Sequence, residues 1–443
     1  MNDFEQELSE RLQGLREHGL YRELRRVDSP QSARIEIQGR SLLNFSSNDY
    51  LGLANHPLLK EAALQAVERY GAGSGASRLI CGSLAPFHEL EEALAHFKGA
   101  KAALTFSTGY AAAAGVICAL LGKEDFIVTD KLVHACLVDA ARLCGAKLRI
   151  FAHNDLNDLE EILRWVDHQQ PSAHRPALSQ DAAVGFPAVI SRRPRTLIVT
   201  ETVFSMDGDQ APLRDLVELK ERHGAWLMVD EAHATGLYGA YGEGLATAAG
   251  VSNRIEIQMG TLGKALGAAG GYICGSSILI DYLINRARTF IFSTAPVPAA
   301  AAAALAGLRL VASPAGAERR KLLWQRVDQL LNGITSLPSP IKLAGHGVLQ
   351  APGFREPAGQ RRSTVSMGSP ERRRAIIPIL IGGESQAVDT ADALRAAGLF
   401  VPAIRYPTVA RGTARLRLTF SASHTDEDIA RLLAALADLK FPI

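Results

Sequence analysis

Trp226-Leu227-Met228-Val229-Asp230-Glu231-Ala232-His233 is the stretch from which the rest of the chain can be ordered. Four successive apolar residues predict a short buried strand, and that strand carries a carboxylate, Asp230, at its tip. Two further runs flank it, TLIVT at 196–200 and RIEIQM at 254–259, with Ala-rich helical segments among them. Strands alternating with helices predict a mainly parallel α/β sheet within a large domain spanning 57–313.

Outside that block the pattern changes. Before it, 1–56 opens with a charged helix whose Phe4, Leu8, Leu12 and Leu15 recur at helical spacing, as if to pack across a neighbour. After it, ERRKLLWQRVDQLLNGI (318–334) reads as a helix, RAIIPILIG (374–382) as a strand, AVDTADALRAAG (387–398) as a helix, ARLRLTFSA (414–422) as a strand and DEDIARLLAALADL (426–439) as a final helix. These predict a smaller C-terminal α+β domain over 314–443. Two stretches rich in Pro, Arg, Ser and Gln, 168–194 and 351–374, read as exposed insertions.

Composition narrows the partners. The 443 residues leave room for two or three domains. With 47% apolar residues, 21% charged residues and a formal charge of +2, neither a disordered chain nor a nucleic-acid-binding surface is favoured. The N-terminus lacks the apolar core of a secretory signal. The longest apolar stretch, 295–311, is mostly alanine and carries Pro296, Pro298 and Arg309, so no membrane span is expected. Cys81, Cys118, Cys136, Cys144 and Cys274 form no Cys-x-x-Cys and no metal-ligand spacing; they read as free thiols of a cytoplasmic protein, with no metal.

Several local motifs fail on context. Gly71–Ser77 (GAGSGAS) follows a helical segment and lacks the G-x-G-x-x-G spacing of a dinucleotide loop. Asp230 to His233 spells the DEAH box of helicases, yet no G-x-x-x-x-G-K-[ST] loop accompanies it. Neither H-E-x-x-H nor G-x-S-x-G occurs.

What remains is a series at predicted strand ends, where open α/β sheets place ligands. Thr200 to Asp209 (TETVFSMDGD) follows the first strand, Asp230 and His233 follow the second, and Thr261 to Gly267 (TLGKALG) follows the third. An aspartate at a strand tip and a lysine in a Gly-flanked turn suit pyridoxal 5'-phosphate (PLP): the carboxylate keeps the pyridine nitrogen protonated, and the amine links to the aldehyde. Either residue alone reads as a helix cap or a solvated turn; the ordered pair points to the cofactor.

Taken with Phe45 to Leu53 (FSSNDYLGL), Ser107 to Tyr110 (STGY), Asp130 to His134 and Phe204 to Asp209, these residues resemble the α-oxoamine synthases of the fold-type-I PLP-dependent transferases. The match runs through nearly the whole chain. The resemblance implies Lys264 as the covalent attachment point and base, Asp230 on the pyridine nitrogen, His134 stacked on the ring and touching substrate, and His233 on the ring hydroxyl. It implies Gly109 and Tyr110 as backbone phosphate donors, Ser205 and Thr261 beside the cofactor, and Arg22 and Thr408 on the substrate. Asn48 and Arg405 are further candidates for a carboxylate.

It also implies a homodimer, with Ser293 and Thr294 reaching into the other copy's site. Within the family, Ala403 to Val409 (AIRYPTV) with Gly412 to Arg417 (GTARLR) is most similar to members that condense L-alanine with pimeloyl-CoA or a pimeloyl acyl carrier protein. Sister members use glycine or serine with another acyl-CoA. A transaminase and a non-catalytic scaffold are the other readings.

Overall fold

Runs such as Leu197-Ile198-Val199 and Leu227-Met228-Val229 have no polar face to give to water, so they form strands covered on both sides. In the computed structural model, which describes residues 2–169, 194–337, 341–343, 347–349 and 373–439, seven strands join in one sheet. Their spatial order is Ala102–Phe106, Gly271–Gly275, Ile257–Thr261, Trp226–Asp230, Thr196–Glu201, Phe126–Asp130 and Lys147–Phe151. All neighbours pair in parallel except Gly271–Gly275, which runs antiparallel to both of its partners. The sheet therefore gathers the carboxyl ends of its parallel strands along one edge.

The third of the anticipated strands begins at Ile257 rather than Arg254. Ser252–Arg254 is a 3₁₀ turn, and the Glu256 carboxylate accepts from Lys220 Nζ at 2.6 Å and from the Leu227 N–H at 2.8 Å. Those bonds tie Glu256 to its neighbours through its side chain, just ahead of the ladder. The apolar stretch near 295–311 forms the helix Pro298–Ala312, with proline at its start and Ala301, Ala304, Leu305, Leu308 and Val311 buried. Among the described residues no single helix is long and apolar enough to cross a membrane. All five cysteines are free.

The chain divides into two compact units, one comprising 57–204 and 210–313, the other 1–56, 205–209 and 314–443. The second unit contains a three-stranded sheet (Arg34–Ile37, Arg40–Asn44, Leu399–Phe400) and a five-stranded sheet. The five lie in the order Gly347–Leu349, Ile341–Leu343, Ile376–Gly382, Ala414–Thr419 and Ala403–Ile404, with every pair antiparallel. Helices Pro314–Thr335, Glu384–Ala396 and Asp426–Ala437 accompany them, the last started by a capping box of Thr425 and Asp428.

The first helix, Asp3–Glu17, is started by the Asn2 side chain but buries no residue, and its stripe of Phe4, Leu8, Leu12 and Leu15 stands exposed. Apart from their edges, the inserted stretches 168–194 and 351–374 lie outside the described residues.

Candidate active site

Three strand ends and two helix starts surround a cavity of about 200 Å³ in the larger unit. Gly109, Tyr110, His134, Asp230, His233, Thr261 and Lys264 all line it, so one place collects seven residues spread over 156 positions of sequence. Glu201, Cys136, Ala232 and Met259 complete the lining.

One end of the cavity is the start of the helix Gly109–Leu120. Thr108 caps it, taking the Ala111 N–H with its hydroxyl at 3.0 Å and the Ala112 N–H with its carbonyl. The first two N–H groups, those of Gly109 and Tyr110, have no intrahelical acceptor and carry the positive end of the helix dipole. Strand Gly271–Gly275 passes so close that a Cβ on Gly271 would lie 2.6 Å from the Gly109 Cα and N, which is why this position needs glycine.

Asp230 projects from the end of its strand with one carboxylate oxygen accepting the Ala232 N–H at 2.9 Å. Burial pushes its carboxyl above the ordinary aspartate range, while Lys264, that N–H and His134 pull it back towards ionisation. A cationic group placed beside it completes the ionisation, since a buried carboxylate without a counter-charge is costly. Lys264 Nζ lies 2.7 Å from His233 Nε2, which anchors the amine in the cavity. Thr261 donates its hydroxyl to the Gly270 carbonyl at 3.0 Å and accepts the Gly263 N–H at 3.2 Å, shaping the turn that presents Lys264.

His134 caps the helix Ala135–Leu143, its Nδ1 accepting the Cys136 N–H at 3.2 Å. Burial holds its pKa below the ordinary histidine value, aided by Lys264 and opposed by Asp230 and Asp139. A neutral imidazole is thus the resting form.

Of the other anticipated residues, Arg22, Asn48, Ser205, Arg405 and Thr408 belong to the second unit, and Ser293 and Thr294 to the larger one. Arg22 donates to the Thr408 hydroxyl at 3.4 Å, and Arg405 donates to the Tyr21 carbonyl at 2.9 Å. The Ser205 carbonyl accepts from Arg417 Nε at 2.6 Å, and Arg417 Nη2 donates to Asn48 at 3.2 Å. Arg417 was missed as an individual candidate, although alternation in Ala414–Thr419 signals that Arg415 and Arg417 share one strand face. Ser293 is partly exposed and Thr294 exposed, held by the bridge between Ser77 and Thr294. Glu201 and Cys136 were missed too; Glu201 could have been found from register, since it pairs directly with Asp230 across the sheet.

The residues present fit the PLP that the sequence resemblance implies. A primary amine, a buried carboxylate, a flat imidazole and a helix N-terminus converge on one cavity, matching an aldehyde, a pyridinium, a ring face and a phosphate.

Comparison with known proteins agrees on the cofactor. The family described as aminotransferase class I and II matches residues 40–436. An 8-amino-7-oxononanoate synthase from Geotalea daltonii is 43% identical over 432 residues, covering 98% of this chain and 97% of the relative. Among solved structures, a serine palmitoyltransferase from S. paucimobilis with a bound PLP–myriocin adduct superposes with a TM-score of 0.80 at 26% identity, covering 97% of this chain and 96% of the other. The 8-amino-7-oxononanoate synthase from Francisella tularensis gives a TM-score of 0.66 at 25% identity, covering 89% and 97%.

Proposed function

The chain belongs to the 8-amino-7-oxononanoate synthases, fold-type-I PLP-dependent acyltransferases within the class I and II aminotransferase family, and from that premise we propose that it joins L-alanine to a pimeloyl thioester. The thioester is carried on coenzyme A or on acyl carrier protein. Carbon dioxide and the free thiol carrier leave, and the product is 8-amino-7-oxononanoate for biotin biosynthesis.

The observation that supports this most directly is the convergence of Lys264, Asp230, His134, His233 and the Gly109 helix start on one cavity. When bound there, PLP supplies an electrophilic aldehyde and a protonated ring that draws electrons from the α-carbon of the amino acid. Lys264 Nζ would hold the aldehyde at rest and take the α-proton of alanine when the amino acid is in place. His233, 2.7 Å from that amine, orients it and would hydrogen-bond the ring hydroxyl oxygen.

Asp230 would keep the pyridine nitrogen protonated, and His134 would cover the ring face as a neutral imidazole. The Gly109 and Tyr110 N–H groups would bind the phosphate. Thr261 would join them by turning its hydroxyl away from the Gly270 carbonyl.

Removing the α-proton leaves a carbon nucleophile for the thioester carbonyl. The thiol leaves, the resulting β-keto acid loses carbon dioxide, and the α-carbon takes up a proton in its place. Arg22 with Thr408 and Arg405 with Asn48 are the proposed carboxylate and acyl-chain contacts, guanidinium being well matched to carboxylate. Ser205 lies on the cofactor in this reading. We place the working form as a homodimer, with Ser293 and Thr294 offered to the other copy. Sedimentation of the purified protein as a monomer at its working concentration would remove that part.

A second reading, serine or glycine with another acyl-CoA, draws on the serine palmitoyltransferase likeness at a TM-score of 0.80. Absorption spectroscopy separates the two. Purified protein with PLP is expected to show a visible cofactor band that responds to L-alanine ahead of glycine and L-serine, and to release thiol with pimeloyl-CoA. A band that responds best to glycine or serine replaces the substrate, and the absence of any band ends the proposal.

A further inference from the structure

Cys136 lies two residues beyond His134, buried, in the lining of the same cavity. It meets the imidazole twice. Its backbone N–H points at His134 Nδ1 from 3.2 Å, and its Sγ lies 3.0 Å from that same nitrogen. A neutral imidazole has one nitrogen that accepts and one that donates, and the backbone N–H can only donate. Nδ1 is therefore the acceptor, and the thiol approaches a lone pair rather than a proton.

The thiol is also in its protonated form. Burial, Asp230 and Glu201 push it up to about 12, so it presents S–H and not a thiolate. Two donors from one residue thus converge on one ring nitrogen, and we propose that Cys136 is a positioning residue that keeps the proton of His134 on Nε2 and fixes the plane of its ring. This inference rests on the reading that His134 covers the cofactor, and it adds how the ring is kept in the state that such a contact needs.

The charged and titratable groups around His134 do not impose that state by themselves. Asp230 from the strand end and Asp139 from its own helix favour the imidazolium, Lys264 opposes it, and Tyr110 donates to Asp139 at 3.0 Å. With carboxylates on one side and the amine on the other, the two Cys136 donors favour the neutral ring by engaging the atom that would be protonated. Burial acts in the same direction.

The test is a pH titration of the holoenzyme carrying ¹⁵N-labelled histidine, with the His134 signals identified by their loss in His134→Asn. In the unaltered protein Nδ1 is expected to give a pyridine-like shift and Nε2 a pyrrole-like one, with titration below the ordinary histidine range. Cys136→Ala removes the thiol donor and should raise the His134 titration by about half a unit to one unit, the size of one net hydrogen bond. The acidic limb of kcat/KM should move the same way.

Cys136→Ser keeps a donor and should restore both. Should Cys136→Ala fail to fold, Cys136→Val supplies a donor-free side chain for the same comparison with Ser. The backbone N–H of residue 136 holds the tautomer in every variant, so an unchanged titration in the donor-free variant, or a serine variant that shifts as far, overturns the proposal. His134→Asn with unaltered cofactor absorption and turnover breaks the cofactor-covering role instead, and leaves the titration result standing.

Discussion

Two hollows in the larger unit differ in kind, and the bigger of the two is not the one that gathers an amine, imidazoles and carboxylates. At the amino ends of its strands a cleft of about 830 Å³ is lined by Trp226, Arg254, Ile257, Ile278 and Tyr282. At the carboxyl ends lies the cavity of about 200 Å³ with Lys264 and Asp230. In the cleft, ionic groups satisfy one another: Lys220 pairs with Glu256 at 2.6 Å, Arg254 with Glu221 at 3.0 Å, and Arg195 donates to the Leu120 carbonyl at 2.7 Å. In the small cavity, an amine, two imidazoles and buried carboxylates are gathered around one space. Size alone would choose the cleft; the convergence of titratable groups at the carboxyl ends of a parallel sheet is the reason we propose the small cavity instead.

That contrast can be broken most decisively at Lys264. Lys264→Ala is expected to lower pimeloyl-dependent thiol release on the order of 10⁴-fold, as for loss of a covalent and proton-transfer group. Retention of normal turnover would mean that the small cavity is not the reactive one. Asp230→Asn keeps the shape but not the charge, and is expected to cost on the order of 10²-fold in kcat, consistent with losing one preorganised electrostatic partner.

Gly271→Ala tests the helix start without touching a reactive group. Its Cβ would meet the Gly109 backbone at 2.6 Å, so PLP affinity measured by fluorescence titration should fall about tenfold, with about 1–3 kcal/mol lost in urea unfolding. In the cleft, Lys220→Met leaves Glu256 without its cation. Because Glu256 is exposed, the expected change is about 1 kcal/mol of stability, with kcat unchanged. Arg254→Ala removes an exposed pair and should alter neither stability by more than about 1 kcal/mol nor turnover by more than about twofold. A large fall in kcat from either cleft variant would overturn the division of labour.

Asp230, His233 and Lys264 were legible because strand, carboxylate and Gly-flanked lysine recur in order, and order along the chain becomes adjacency when the strands are parallel. Gly109 was legible through Ser107 to Tyr110, a helix start after a strand. Glu201 was hidden by its ordinary place at the end of TLIVT, since only register puts it opposite Asp230. Cys136 was hidden because a lone cysteine two residues after a histidine reads as helix packing. The start of strand Ile257–Thr261 was misread by three residues, because the pairing of Glu256 with Lys220 depends on a helix 36 positions earlier.

The sequence by itself determined the alternation of apolar strands and helices, the order of the reactive residues and the family, because hydrophobic patterning and local turn chemistry are properties of neighbours along the chain. Tertiary structure alone decided that 205–209 belongs with 1–56 and 314–443, that the apolar stripe of the first helix stands exposed, and that Cys136 presents both of its donors to one nitrogen of His134. The physical reason is common to all three. Each depends on distances between groups far apart in sequence, or on the angle at which a side chain leaves a folded backbone, and neither is encoded in any short run of residues.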